Sequence, residues 1–277
     1  MSLPVEIYNL SFSYGPQVIL QDMTFGVEAG EFLAIAGPNG AGKTTLLNLL
    51  CRLLRPQQGR VQIDGEDIRS YSARALARKV AVVRQEFVPA FDFTVSEVVA
   101  MARTAYMSAF GFESATDRRI ISEAMDVTDT SRFASRLMRQ LSAGERQRVF
   151  IARALAQQSP ILLLDEPTTF LDFKHQAAIY DLLKDAQLRS GKTIVAATHD
   201  INLAMQYCDK ALLLAGRSYH IGDISSVLTR QAIEEAFGVK AFEGTVGRGK
   251  FFLPLGKFSR DGENLSDQLK PSPRNSP

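Results

Sequence analysis

The sequence predicts an α/β fold: a core with a mostly parallel sheet, an antiparallel β portion near the N-terminus and a helical lobe inserted in the middle. Three observations predict it. Four short apolar runs, at 31–37, 80–85, 161–167 and 193–200, have the near-continuous hydrophobicity of strands buried on both faces, and helical patterns separate them. The first run leads straight into GPNGAGKTT (37–45), which fits G-x-x-x-x-G-K-[ST] with Gly37, Gly42, Lys43 and Thr44 in the fixed places. The third run, ILLLDEP, ends in two carboxylates, Asp165 and Glu166.

The N-terminal residues 3–14 and 18–28 alternate in places, and Met23, Phe25 and Val27 share one face, so short strands are expected. Tyr14 ends the first of them beside a Gly-Pro turn. A ring there suits stacking on an adenine, and it suits a strand-end tyrosine at the rim equally well.

The 37–45 stretch has a direct chemical reading. Binding a phosphate chain takes several backbone N–H groups aimed inward at once. Gly37, Gly40 and Gly42 take side chains out of the way, and Pro38, Asn39 and Ala41 complete the loop. Helix N–H groups starting at Lys43, Thr44 and Thr45 add partial positive charge. Lys43 is placed to reach the β- and γ-phosphates of a nucleotide, and the Thr44 hydroxyl to hold Mg²⁺.

Next, GRVQIDGEDI (59–68) reads as a strand, an Asp-Gly turn and a return; 72–79 is a short helix; and VAVVRQ (80–85) is a strand ending in Gln85. Residues about 86–159 change character and are read as the helical lobe. Within it, Thr94 and Glu97 form a capping box, 117–127 has helical apolar spacing, and Arg132, Arg136 and Arg139 are a solvated face. LSAGERQR (141–148) opens a helix with a second capping box, Ser142 and Glu145, and Gly144 leaves the backbone bare. By itself this is an ordinary capped start; functionally it would be a second anion site.

The strand 161–167 carries Asp165 and Glu166 to the carboxyl edge of the sheet, where the phosphate loop belongs. Asp165 suits the Mg²⁺ shell, and Glu166 suits polarising an attacking water. The strand at 193–200 ends at His199, better placed near a γ-phosphate than a lone histidine usually is. His175 and His220 have no such context, and no metal site beyond nucleotide-bound Mg²⁺ is expected. Residues 211–223 read as a hairpin, 226–240 as a helix ending at Gly238, and 257–277 as a disordered tail after a domain spanning 1–256.

Composition bounds the function. A net charge of +2 over 277 residues does not call for nucleic acid as a partner. Cys51 and Cys208 lack metal or redox spacing; Cys51 is expected in the core, and the pair suits a reducing cytosol. No apolar run approaches the roughly 18 residues of a membrane span.

Taken in order, these elements resemble the ATP-binding cassette ATPases. LSAGE at 141–145 followed by LLLDEP at 162–167 carries the resemblance, which covers about 5–250. It implies ATP and Mg²⁺ as ligands and assigns roles. Tyr14 matches the adenine-stacking aromatic, and Gly37 to Thr45 the Walker A loop. Gln85 matches the Q-loop glutamine, which contacts Mg²⁺ and the attacking water. Ser142 and Gly144 match the signature residues facing the γ-phosphate on the other subunit. Asp165 matches the Walker B aspartate, Glu166 the catalytic glutamate, Asp172 the D-loop aspartate and His199 the switch histidine. The usual LSGGQ signature has Ala143 and Glu145 here, with the serine and second glycine kept, and TTFLD replaces the commoner S-x-LD ending.

Finer matches at 91–99, 168–176 and 222–239 resemble importers of iron–siderophore complexes, haem and vitamin B12. The resemblance implies a homodimer on the cytoplasmic face of the inner membrane, peripheral, beneath integral membrane permease subunits and fed by an extracytoplasmic substrate-binding protein. Other import cargo (zinc, manganese, molybdate) is the nearer alternative. A soluble cassette acting on nucleic acid or ribosomes fits less well, because there is one cassette, no heptad insertion and little net charge. A GTPase switch lacks its N-K-x-D motif here.

Overall fold

The computed structural model describes residues 3–84, 92–107, 113–247 and 249–256. In chain order they form β1 (Val5–Tyr14), β2 (Gln17–Val27), β3 (Phe32–Ala36), α1 (Lys43–Leu50), β4 (Gln58–Ile63), β5 (Glu66–Asp67), α2 (Ala73–Lys79) and β6 (Val80–Val83). Then follow α3 (Val95–Ala100), α4 (Ala115–Val127), α5 (Ala143–Ala156), β7 (Ile161–Asp165), α6 (Phe173–Ser190), β8 (Thr193–Thr198) and α7 (Ile201–Tyr207). The chain closes with β9 (Lys210–Ala215), β10 (Ser218–Asp223), α8 (Ile224–Val227), α9 (Arg230–Phe237), β11 (Lys240–Val246) and β12 (Gly249–Leu255).

The main sheet has the order β10-β9-β3-β8-β7-β6, parallel except for the edge strand β10. Strands β3, β7 and β8 are almost wholly apolar because both faces of the sheet are covered there. Phe32, Ala34, Leu162, Leu164, Ile194 and Ala196 belong to one buried cluster, while Leu33, Ile35, Ile161, Leu163, Val195 and Ala197 belong to another. A period of two sends neighbours to opposite faces. The second cluster also takes in α1 and the inner face of an antiparallel sheet, β2-β1-β4-β5, including Met23, Phe25 and Val27. The expected Asp-Gly turn joins β4 to β5, with Asp64 at φ 50° and Gly65 at φ 82°, the paired left-handed geometry such a turn demands.

The other face of the sheet packs against α3, α4 and α5. Each of these helices opens on a capping box: Thr94 with Glu97, Ser114 with Asp117, and Ser142 with Glu145. The middle one was not anticipated from the sequence. Arg103 ties this helical segment to the core. It is buried, donates from Nε to Asp117 Oδ1 at 2.8 Å and from Nη1 to the Ala156 carbonyl at 2.9 Å, and lies 4.0 Å over the Tyr106 ring. The three arginines read as a solvated face include Arg132 and Arg139, which make exposed ion pairs with Asp129 and Asp92.

Two expectations need correction near the C-terminal end. The helix expected over 226–240 is broken between α8 and α9, because the Thr229 hydroxyl accepts from Ala232 N and starts a new helix. Its expected end is right: Gly238 closes α9 in the left-handed conformation, at φ 65°. The hairpin β11–β12 was missed. Asn202 anchors it on α7, donating to the Phe252 carbonyl at 3.1 Å and accepting from Phe252 N at 2.8 Å. Gln85 and the expected tail at 257–277 lie outside the described residues. Among those residues no helix is long and apolar enough to cross a membrane.

Candidate functional site

The parallel register decides what meets at the sheet edge. Ala36 pairs with Thr198 and Asp165 with Ala197, so β3, β7 and β8 end level. The loops that follow them bring Gly37–Gly42, Glu166 and His199 together at one carboxyl edge, where α/β sheets bind ligands.

Glycine is demanded at two loop positions by the protein itself. A Cβ on Gly37 would lie 2.8 Å from the Leu214 carbonyl, and one on Gly42 would lie 2.9 Å from Ile19 Cγ2, with φ at +151° and +100°. Between them, Ala41 N donates to the Pro38 carbonyl at 3.2 Å and tightens the loop. Lys43 then opens α1 with its side chain folded back into the loop. Its Nζ donates to the Gly37 and Pro38 carbonyls at 2.9 and 3.0 Å and lies 3.7 Å from Glu166 Oε1. Burial pulls the Lys43 pKa below the usual lysine value, against the opposing pull of the Glu166 and Asp165 charges.

Thr44 Oγ1 donates to Asp165 Oδ1 at 3.0 Å. Burial pushes the Asp165 carboxyl up, and the Thr44 hydrogen bond partly offsets it. Glu166 is delivered in the left-handed region, at φ 47°, with its N–H on the Ala197 carbonyl at 3.0 Å. Its Oε2 accepts from Thr169 Oγ1 at 2.9 Å and lies 3.3 Å from His199 Nδ1. A cleft of about 420 Å³ opens over these groups, lined by Tyr14, Gln17, Ile19, Asn39, Gly40, Gly42, Lys43, Thr44, Thr45 and Glu166. That size lies within the range of small-molecule sites. Tyr14 stands half-exposed at its rim, edge-on to Phe12 with centroids 4.9 Å apart. A second cleft of about 410 Å³ lies beyond Thr44 and Asp165 and is lined in part by Arg84, Phe170 and Cys51. Cys51 is half-buried, packed against the core at the edge of this second cleft, and Cys208 is buried.

Ser142 and Gly144 do not line either cleft. They form the start of α5, where Ser142 N donates to Glu145 Oε2 at 2.8 Å and Glu145 N to Ser142 Oγ at 3.3 Å. The glutamate in place of the usual glutamine therefore completes the cap with a charged acceptor, and those bonds hold its carboxyl below the usual range. Asp172 caps α6, accepting from His175 N at 2.9 Å and lying 2.7 Å from His175 Nδ1. A Cβ on Gly144 would sit 3.1 Å from the His175 ring, so the two helix starts touch. His175 thus has a context after all. The signal was the D-x-x-H spacing of a helix cap. Thr169, Gln17 and Ile19 were also missed, because only the folded turn brings Thr169 to Glu166 and only the β1–β2 hairpin brings Gln17 and Ile19 to the cleft.

The parallel sheet, the glycine loop at its edge and the hydroxyl–carboxylate pair beneath it define a P-loop nucleotide-binding protein. The chain belongs to the ABC transporter family, whose model matches residues 20–169. It is 39% identical over 244 residues to a cobalamin import ATP-binding protein of Halobacterium salinarum, covering 88% of this chain and 61% of that one. The chain thus spans about three fifths of that relative's length. It is 36% identical over 267 residues to a petrobactin import ATP-binding protein of Bacillus anthracis, covering 95% and 97%. Among solved structures, a transporter assigned to the metal-chelate type, in an inward-facing conformation, superposes with a TM-score of 0.83 at 31% identity, over 93% of this chain and 99% of that one. A dimeric ATP-binding cassette bound to ADP and Pi gives 0.69 at 33% identity, over 80% and 99%.

Proposed function

We propose that this chain is the ATP-hydrolysing subunit of an ABC importer for an iron–siderophore, haem or vitamin B12 type substrate. It works as a head-to-tail homodimer on the cytoplasmic face of the membrane, beneath permease subunits that receive cargo from an extracytoplasmic binding protein. The observation that carries the reading is the cluster of Lys43, Thr44, Asp165, Glu166 and His199 at one sheet edge, with Lys43, Thr44 and Glu166 lining the cleft that Tyr14 bounds.

The groups divide the work. Tyr14 offers its ring to the adenine. The loop from Gly37 to Thr45 cradles the phosphates, and Lys43 leaves the loop carbonyls for the β- and γ-phosphates. Thr44 and Asp165 suit Mg²⁺: a hydroxyl and a carboxylate oxygen lie 3.0 Å apart, and the carboxylate is held in surroundings that disfavour its bare charge. Gln85 joins that set by its place in the sequence. The cation's contribution, when bound, is to neutralise charge on the transferring phosphoryl group. Glu166 orients and polarises the attacking water, and His199, 3.3 Å from it, is placed to hold the γ-phosphate. The Ser142–Gly144 helix start and Asp172 lie away from this cleft, as expected if they serve the nucleotide held by the partner subunit. Charge-assisted bonds from both subunits then close the dimer around ATP, and hydrolysis removes the shared anion and opens it. We assign the ATPase domain to 1–256, with the helical lobe at about 86–159 passing the motion to the permease.

Co-purification tests this. The Glu166→Gln variant, tagged and extracted from membranes in mild detergent with ATP, should bring down a polytopic membrane protein. Its identity, with that of any accompanying binding protein, narrows the cargo to the proposed class or to zinc, manganese or molybdate. Recovery of only soluble proteins or nucleic acid would overturn the importer reading.

A further inference from the structure

The turn after β7 contains a contact that the roles above leave unused. Glu166-Pro167-Thr168-Thr169 closes with Thr169 N on the Glu166 carbonyl at 3.3 Å. Proline at the second position presets φ for such a turn. The turn brings the Thr169 side chain back over the side chain of Glu166, where Oγ1 lies 2.9 Å from Oε2. An ionised carboxylate only accepts, so the threonine hydroxyl is the donor. The Glu166 backbone is fixed separately, by its N–H on Ala197 and by its left-handed φ of 47°. The hydroxyl therefore acts on the side chain beyond that fixed backbone, at one oxygen of the carboxylate.

We infer that Thr169 is a positioning residue for ATP hydrolysis: its hydroxyl holds Glu166 Oε2 so that Oε1 faces the attacking water. The inference rests on the reading of Glu166 as the group that orients that water. The other contacts of this carboxylate explain why a dedicated anchor is needed. Lys43 lies 3.7 Å from Oε1 and His199 Nδ1 3.3 Å from Oε2. Both are assigned to phosphates when ATP is bound, and His199 is half-exposed, with room to move. Thr169 lines neither cleft. Its side chain has one heavy-atom torsion, stiffened by β-branching, on a backbone hydrogen-bonded to Glu166 itself. Threonine keeps its hold on Oε2 while the lysine and histidine turn to the nucleotide.

The test compares Thr169→Val, which keeps the shape and removes the donor, with Thr169→Ser, which keeps the donor, and with Glu166→Gln. Steady-state ATP hydrolysis is measured on the full chain. Thr169→Val should lower kcat about tenfold, the scale of one hydrogen bond to a charged group, with KM for ATP within about twofold. Thr169→Ser should recover most of the rate, and Thr169→Val placed on Glu166→Gln should cost little more. Thr169→Ala serves in the same comparison if valine prevents folding. An inactive Glu166→Gln beside a fully active Thr169→Val would overturn the inference and leave Glu166 in place. Equal losses in the serine and valine variants would also overturn it, since shape rather than the donor would then matter. Near-normal turnover by Glu166→Gln would remove the reading on which the inference stands.

Discussion

Lys43 is held at a cost, and that cost predicts a separation between stability and binding. Its side chain is 5% exposed and donates to two loop carbonyls at 2.9 and 3.0 Å. Burial is nonetheless the largest influence on its pKa and lowers it. Lys43→Met keeps the length and removes the charge. The two lost loop bonds are worth about 1 kcal/mol each, and the relieved desolvation offsets them, so stability should change by no more than about 1 kcal/mol. For a domain of this size that is a melting shift of about 2–4 °C. Binding is different. The two charge-assisted bonds to phosphate oxygens proposed for Lys43, at about 2.5 kcal/mol each, less about 2 kcal/mol for the loop bonds given up, leave roughly 3 kcal/mol, a loss of about 100-fold in affinity. Calorimetric titration with ATP and Mg²⁺, run beside a melting curve, reads both. The unfolded chain keeps the lysine proton to about pH 10.4 and the folded chain gives it up earlier, so stability without nucleotide gains from Lys43 as pH rises through that window. Lys43→Met should abolish that gain. ATP affinity within threefold of wild type, or a melting point lowered by about 10 °C, would refute the reasoning.

Two further outcomes are expected. Arg103→Met leaves the Asp117 carboxylate buried without its partner and should destabilise by about 3 kcal/mol, read by urea unfolding. Ser114 and Arg103 hold the Asp117 carboxyl down at about 2, so its contribution is present above the unfolded value near 3.9 and is lost as pH falls toward 2; the variant's acid transition should therefore begin at higher pH. Gly144→Ala should leave stability within about 1 kcal/mol, because the helix gain from alanine offsets the 3.1 Å approach to His175. ATP hydrolysis should nonetheless fall at least about tenfold, since one added methyl covers the helix start proposed to face the partner's nucleotide.

The sequence made some parts of the molecule legible and left others hidden. Strands β3, β6, β7 and β8 were readable because a sheet covered on both faces writes apolar runs into the chain. Lys43, Thr44, Asp165, Glu166 and His199 were readable as candidates because each sits at or just past a strand end, and parallel strands share one carboxyl edge. Thr169 and His175 were hidden because their meaning lies in contacts, one across a four-residue turn and one between two helix starts 31 residues apart in sequence, at 144 and 175. The β11–β12 hairpin was hidden for another reason: a two-stranded ribbon resting on α7 and α9 buries only Ala241 and Phe252 and leaves a weak pattern. The break at Thr229 turned on a single hydroxyl cap inside a run of good helix spacing.

We propose that Glu166 drives hydrolysis of an ATP shared between two copies of this chain. Light scattering of purified Glu166→Gln, with and without ATP and Mg²⁺, tests it most directly. The variant should be a monomer without nucleotide and a stable species of twice the mass with ATP, with almost no turnover. A monomer under both conditions, or near-normal hydrolysis, would contradict it.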